Sequence, residues 1–254
     1  MHILFIGYGK TSQRAAKLLF AAGHQITTIS RSAKTDTLAH HLQQDVHGLN
    51  LEDLAPIDAA YVLLSPNAST VEAYQQTYVD TVAPIVRALK KHPIQRIMVV
   101  SSTRVYGENA GERVDDETVP QPNDAQGRLL LQMEQLYQKA FPAQCMIIRP
   151  AGIYSGSSAR MQKLAETTKS FPAIQWSNRI HIDDLARFLV FMLHVEHAEK
   201  SYICTNNQPQ LLHERILELQ RAMHLPELVL QSEIETGKRI YAERMAESGF
   251  HLKY

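Results

Sequence analysis

The chain has 254 residues, with 26 Lys+Arg against 26 Asp+Glu and 44% hydrophobic residues. That length fits one large α/β domain with a substantial core. The balanced charge leaves no global field to draw in nucleic acid or an anionic membrane.

No apolar run reaches the roughly 18 residues that a membrane-spanning helix needs, and the N-terminal Ile3-Leu4-Phe5-Ile6 is too short for a secretory signal. Cys145 and Cys204 match no zinc spacing and read as reduced, buried thiols, so a cytoplasmic protein with no metal site is expected.

Strand and helix patterns alternate, as in a parallel sheet with helical crossovers. Strands are predicted at 2–6, 25–30, 59–64, 96–102, 144–149 and 201–204, with a short one near Asp45-Val46. Helices are predicted at 11–22, 71–91, 127–140, 183–195 and 211–223. Ala59–Leu64 and Arg96–Val100 are apolar on both faces, as central parallel strands should be. His40-His41 reads as a solvated helix end, and Gly107–Asp124 as a loop over the cleft. Segments 155–180 and 225–250 are less periodic and are expected to build a small substrate-facing lobe of a single domain. No repeat or low-complexity tract interrupts the chain.

The opening carries the most chemistry. Strand 2–6 runs into Gly7-Tyr8-Gly9-Lys10-Thr11-Ser12, a helix follows, and the second strand ends on Arg31. Glycine at Gly7 allows a tight turn, Gly9 lets backbone N–H groups approach a pyrophosphate, and the positive helix end faces it. Ser12 replaces the third glycine; it is small enough for close helix–sheet packing, and its hydroxyl is a candidate phosphate ligand. An acid at the end of the second strand would accept the ribose hydroxyls of NAD, whereas Arg31 suits the 2′-phosphate of NADP. Ser65-Pro66 ends the strand beginning at Ala59 at its carboxyl end, where such folds bind ligands. A P-loop reading of Gly9-Lys10-Thr11 fails, because Leu4 stands where that motif needs glycine.

Four further segments complete a pattern: Ser101-Ser102-Thr103-Arg104-Val105-Tyr106-Gly107, Ile148-Arg149-Pro150-Ala151-Gly152-Ile153-Tyr154, Arg179-Ile180-His181-Ile182-Asp183-Asp184-Leu185-Ala186 and Tyr202–Pro209. In this order they resemble the extended branch of the short-chain dehydrogenase/reductases, the NAD-dependent epimerase/dehydratase family. The resemblance implies a Rossmann-type doubly wound sheet. It also implies a cofactor site that includes Ser101 and the loop from Pro150 to Ile153. Asp183 or Asp184 is expected to cap the helix beginning near Leu185, and His181 reads as an ordered histidine bonded to backbone.

The departures from that family bear on mechanism. Its members carry Tyr-x-x-x-Lys on the helix after the fifth strand, the tyrosine exchanging the proton and the lysine lowering its pKa. Alignment on Gly127 and Glu134 puts Gln126 and Leu130 at those positions, and none of the ten tyrosines has a lysine four residues later. The chain therefore resembles the atypical members, which keep the cofactor site and alter the catalytic set.

The leading expectation is an NADP(H)-binding oxidoreductase for a small carbonyl or sugar-type substrate, with Ser102 and Tyr106 as catalytic candidates and NAD as second choice of cofactor. A catalytically inactive NADP(H)-dependent sensor stays open, as does a nucleotide-sugar epimerase or dehydratase. Arg128, Arg149, Arg160 and Arg179 could attract an anion. Helices 71–91 and 127–140 correspond to the family's dimerising pair, so a homodimer is expected; Val79, Val82, Ile85, Val86 and Leu89 supply apolar positions there.

Overall fold

The computed structural model describes residues 1–156 and 159–254. The chain begins with β1 (His2–Ile6), α1 (Lys10–Ala21), β2 (Gln25–Ser30), β3 (His40–Gln43), β4 (Ala59–Val62), α2 (Val71–Tyr74), α3 (Val82–Leu89) and β5 (Arg96–Val100). Next come β6 (Ala110–Val114), α4 (Ala125–Ala140), β7 (Cys145–Pro150), β8 (Gly152–Tyr154) and α5 (Ala159–Thr167). Then follow β9 (Ser170–Phe171), β10 (Ile174–Ser177), β11 (Arg179–His181), α6 (Ile182–Phe191) and β12 (Ser201–Cys204). The chain closes with β13 (Gln210–Leu211), α7 (Leu212–Ala222), β14 (Val229–Leu230), β15 (Glu235–Ile240) and α8 (Glu243–Glu247).

Seven strands pair in parallel in the order β12-β7-β5-β4-β1-β2-β3. Counted along the sheet this is the doubly wound order of dinucleotide-binding folds, extended by one strand. Strand order reverses beside β1, so a crevice opens at the carboxyl ends of β1, β2 and β4. Every residue of β1 and β4 is buried, which is why both read as continuous apolar runs. Phe5 and Tyr61 stack between them with ring centroids 4.7 Å apart.

A second, four-stranded sheet in the order β13-β10-β15-β6 stands over one end of the first. It belongs with a small separate core, where Ala165 of α5 and Ile216 of α7 meet Leu228. The expected lobe segments 155–180 and 225–250 supply α5, β9, β10, β14, β15 and α8; Ser157 and Ser158 lie outside the described residues.

Several expectations need correction. The third strand of the large sheet is His40–Gln43, not Asp45-Val46. Thr28 Oγ1 and His41 Nδ1 hydrogen-bond at 2.8 Å across the β2–β3 pair, so His40-His41 is a sheet edge and not a helix end. Asp45 instead caps a short 3₁₀ turn, its carboxylate accepting from His47 N at 2.9 Å.

The helix expected at 71–91 is broken by a π-helical turn at Gln75–Val79. Asp80 N reaches back five residues to Gln75 O at 3.0 Å, and Pro84 has no N–H to continue the ladder behind it. Val82, Ile85 and Leu89 are buried within the chain, while Val79 and Val86 are half-buried. Gly107–Asp124 is not all loop, because Ala110–Val114 pairs with β15.

Neither acid caps α6: His181 Nδ1 accepts from Asp183 N at 3.3 Å as the cap. Asp184 is fully buried, and its carboxylate accepts from the backbone N of Lys253 and Tyr254, both at 2.9 Å.

Candidate functional site

At the crevice beside β1 the chain turns through Gly7, whose φ is +93°. A Cβ there would lie 2.1 Å from Leu63 O, so only glycine lets the turn close against the end of β4. Gly7 N donates to Ile29 O at 2.9 Å, and Ser12 Oγ donates to Gly7 O at 2.7 Å, fixing the turn from both sides.

Gly9 sits at the helix N-cap position, with no side-chain cap and no acid in the first turn. A Cβ on Gly9 would meet nothing within 4 Å, so its hydrogen keeps open space in front of the helix end. Free N–H groups, the positive end of α1 and a bare approach together form a cradle for a phosphate group.

That cradle opens into a cleft of about 540 Å³ lined by the backbone of Gly7–Gly9, by Ser30–Ser32, Asp45–His47 and Leu63–Ser65, and by residues near Thr77. Arg31 is exposed on its rim, and Gln43 Nε2 donates to the Arg31 carbonyl at 3.0 Å, which ties the end of β2 to β3. Asp45 is held below the usual carboxylate range, first by hydrogen bonds from His47 and more weakly by the charges of His47 and Arg31. The Tyr8 ring is buried, and burial, with Asp36 nearby, pushes its phenol well above the ordinary value.

A second cavity of about 290 Å³ lies beyond the carboxyl ends of β5 and β7, under the smaller sheet. Ser102, Arg104, Trp176, Asn178 and Lys238 give it its chemical character. Asn178 fixes the join between the sheets, its Nδ2 donating to Lys238 O and its Oδ1 accepting from Ile240 N, both at 2.8 Å. Gly237 has φ +73°, and a Cβ there would come within 2.7 Å of Trp176 O, so glycine lets β15 press on β10 beside the cavity.

A buried polar cluster stands apart from the lining of either cavity. Arg149 Nη2 and Glu134 Oε2 are 2.6 Å apart, with side chains 8% and 1% exposed. Arg149 Nη1 also donates to Tyr106 Oη at 2.8 Å.

The sequence profile of the NAD dependent epimerase/dehydratase family matches residues 7–204. The chain belongs to this family. No curated protein sequence matches it. Among solved structures, a protein of Methylobacillus flagellatus assigned provisionally as an NAD-dependent epimerase/dehydratase is 28% identical, with a TM-score of 0.80 over 100% of this chain and 93% of that one. A UDP-glucuronic acid 4-epimerase of Bacillus cereus, in complex with NAD, shares 16% identity and a TM-score of 0.79 over 100% and 92%. A conserved protein of unknown function from Silicibacter pomeroyi shares 22% identity and a TM-score of 0.71 over 100% and 94%.

Within this epimerase/dehydratase fold the expected site residues divide. Gly7, Tyr8, Gly9, Arg31 and Ser65 meet at the large cleft. Lys10 and Thr11 form the first turn of α1, and they and Pro66 are outside the cleft lining. Ser12 is 1% exposed and its hydroxyl donates to Gly7 O, so the side chain shapes the turn. Ser101 follows β5 directly, with a buried hydroxyl that has no partner among the described residues. Pro150 ends β7, and Ile153 is 46% exposed on β8.

Ser102 lines the second cavity, but Tyr106 does not. The Tyr106 side chain is 1% exposed and its hydroxyl is taken by Arg149, while burial raises its phenol pKa against the opposing charge of Arg149. In this structure Tyr106 packs in the core with its hydroxyl on Arg149, and Arg149 is the buried partner of Glu134.

At the α4 positions set against the family's dyad, Gln126 Nε2 donates to Ser69 O at 3.1 Å and Leu130 is 1% exposed in the core. Arg104, Trp176, Asn178 and Lys238 were missed as site residues. The isolated glycine before Lys238 was the available signal, since glycine inside a strand marks close backbone approach.

Proposed function

We propose that the chain is an NADP(H)-binding reductase-type member of its family, with the cofactor in the large cleft and a small carbonyl or sugar-like substrate in the second cavity. The observation that carries this is Arg31, exposed on the cleft rim at the carboxyl end of β2, where a carboxylate would favour NAD. The Gly7–Gly9 cradle would take the pyrophosphate and Arg31 the 2′-phosphate; the bound cofactor supplies or accepts a hydride. Ser102, on the cavity wall, is the candidate to hydrogen-bond the substrate oxygen.

The test is a paired titration of NADPH and NADH on the wild type and Arg31→Ala. Loss of a charge-assisted phosphate contact should weaken NADPH roughly 10- to 150-fold and leave NADH unchanged. Equal binding of both cofactors by the wild type sinks the NADP assignment.

A second reading, a cofactor-dependent sensor without chemistry, draws on Tyr106, Gln126 and Leu130. The first is sealed in the core, the second cannot exchange a proton at neutral pH, and the third has nothing to ionise. Steady NADPH oxidation with any carbonyl of a panel, lost in Ser102→Ala, counts against it.

A further inference from the structure

We propose that Lys238 and Arg104 make the second cavity a receptor for a small oxyanion, a carboxylate or phosphate group carried by the substrate. The inference rests on the reading of that cavity as the substrate side of the site, and it names the class of molecule that would enter.

The argument is a count of hydrogen-bonding capacity. Lys238 Nζ donates to Tyr106 O, which uses one of the three N–H bonds of an ammonium. Arg104 Nε faces the Asp124 carboxylate at 3.0 and 3.1 Å, and its Nη1 lies 3.4 Å from Tyr74 Oη. Its Nη2 makes no hydrogen bond among the described residues. Ser102 Oγ accepts from Arg104 N at 3.2 Å, and its own hydrogen has no acceptor among the described residues.

Asn178 uses one Nδ2 hydrogen on Lys238 O and accepts from Ile240 N at Oδ1, and Trp176 Nε1 donates to Glu235 Oε2 at 2.9 Å. What remains on the wall is a set of unspent donors on two cations and a hydroxyl. Among the described residues, no carboxylate lines the cavity. A ligand rich in acceptors and bearing negative charge satisfies that set; a neutral ketone, with one acceptor oxygen, leaves most of those donors unpaired.

The balancing acids stand behind the wall. Burial pulls the Lys238 ammonium below the ordinary lysine value, and the carboxylates of Glu108, Asp124 and Glu112 oppose the pull. None of the three lines the cavity, so none competes for the space an oxyanion would fill.

Size narrows the class further. At about 290 Å³ the cavity lies at the small end of ligand pockets, which run roughly 300–1,000 Å³. It suits a compact acid or a short phosphate ester rather than a nucleotide-bearing molecule.

The single tryptophan of the chain, Trp176, is on the cavity wall and reports its occupancy by fluorescence. Wild type, Lys238→Met and Lys238→Arg would be titrated with pyruvate, inorganic phosphate, acetone and potassium chloride at matched ionic strength, with and without NADP+. Circular dichroism and urea midpoints would establish that both variants fold.

A saturable response to pyruvate or to phosphate is expected in the wild type, with none to acetone or chloride, and the stronger of the two names the group. Lys238→Met should weaken it roughly 10- to 150-fold and Lys238→Arg should retain most of it. No saturable response to either anion, an equal response to chloride, or unchanged affinity in Lys238→Met overturns the proposal. The NADPH titration reads the other cleft: NADPH binding without anion binding defeats this inference alone, and anion binding without NADPH binding defeats only the cofactor reading.

Discussion

Arg149 and Glu134 form a buried ion pair, with Arg149 donating from Nε and Nη2 to both carboxylate oxygens at 2.6–3.2 Å. The pair joins the end of β7 to the middle of α4, and so fixes the helix that carries Gln126. Two charges buried this deeply are tolerable only together. Glu134→Leu leaves an uncompensated guanidinium and should lower the unfolding free energy by about 3–5 kcal/mol, measured by urea denaturation. The double variant Glu134→Leu, Arg149→Met should recover most of that loss; a double variant as unstable as the single would mean that the pair does more than neutralise itself.

Tyr106 and Ser102 lie close in sequence yet should behave oppositely. Tyr106→Phe removes the acceptor of Arg149 Nη1 and should cost about 1–3 kcal/mol of stability, with NADPH affinity and any turnover unchanged. Ser102→Ala removes a cap on a 3₁₀ turn, worth about 1 kcal/mol, but should change substrate handling. Parallel unfolding and kinetic assays separate the two. A Tyr106→Phe protein of normal stability and lost turnover would return the phenol to the site.

The features legible in the sequence are those that local physics imposes. Continuous apolar runs gave β1 and β4, and the close approach of the chain to Leu63 demands glycine at Gly7. Arg31 was legible because it ends a strand at a fixed distance from that glycine. Features set by distant partners were not legible. β3 is two histidines, a leucine and a glutamine, without apolar alternation, and it exists because β2 offers an edge. Tyr106 looked available because Arg149, which holds its hydroxyl, is 43 residues away. Lys238 reaches the cavity only through the pairing of β15 with β6 and β10.

Acid should weaken the fold through two histidines held below their ordinary value of 6.5. For His24 burial comes first, followed by the charged N-terminus and His194, whose ring lies 6.0 Å away. For His92 burial dominates, a hydrogen bond with Leu51 opposes it, and His2 adds a smaller lowering. As pH falls below 6.5 the unfolded chain takes up protons that the folded chain refuses, so the unfolded state binds more of them. Stability present above that pH is thus lost as pH falls through the folded values. Urea midpoints at about pH 7.5 and 5.5 should show the drop, and His24→Gln should shrink it. A drop of the same size in the variant removes His24 from the account.

Gly7 and Gly9 flank one residue but should fail in different ways. At Gly7 an alanine carries φ +93° and a Cβ 2.1 Å from Leu63 O. The left-handed backbone alone costs about 1–3 kcal/mol, and relieving the clash means parting β1 from the end of β4. Gly7→Ala should therefore lose stability and cofactor together, the second because of the first. At Gly9 the backbone is extended, with φ −88°, and no atom lies within 4 Å of an added Cβ. Gly9→Ala should lose no more than about 1 kcal/mol, the difference between glycine and alanine at an N-cap. Its methyl group would nonetheless stand in front of the uncapped N–H groups of α1, where a phosphate has to approach. Urea unfolding beside NADPH titration decides the matter. Normal stability with weakened NADPH binding in Gly9→Ala places the pyrophosphate at this turn, because nothing in the fold itself needs that hydrogen. Normal stability with normal binding would move the cofactor elsewhere and leave the turn a purely structural device.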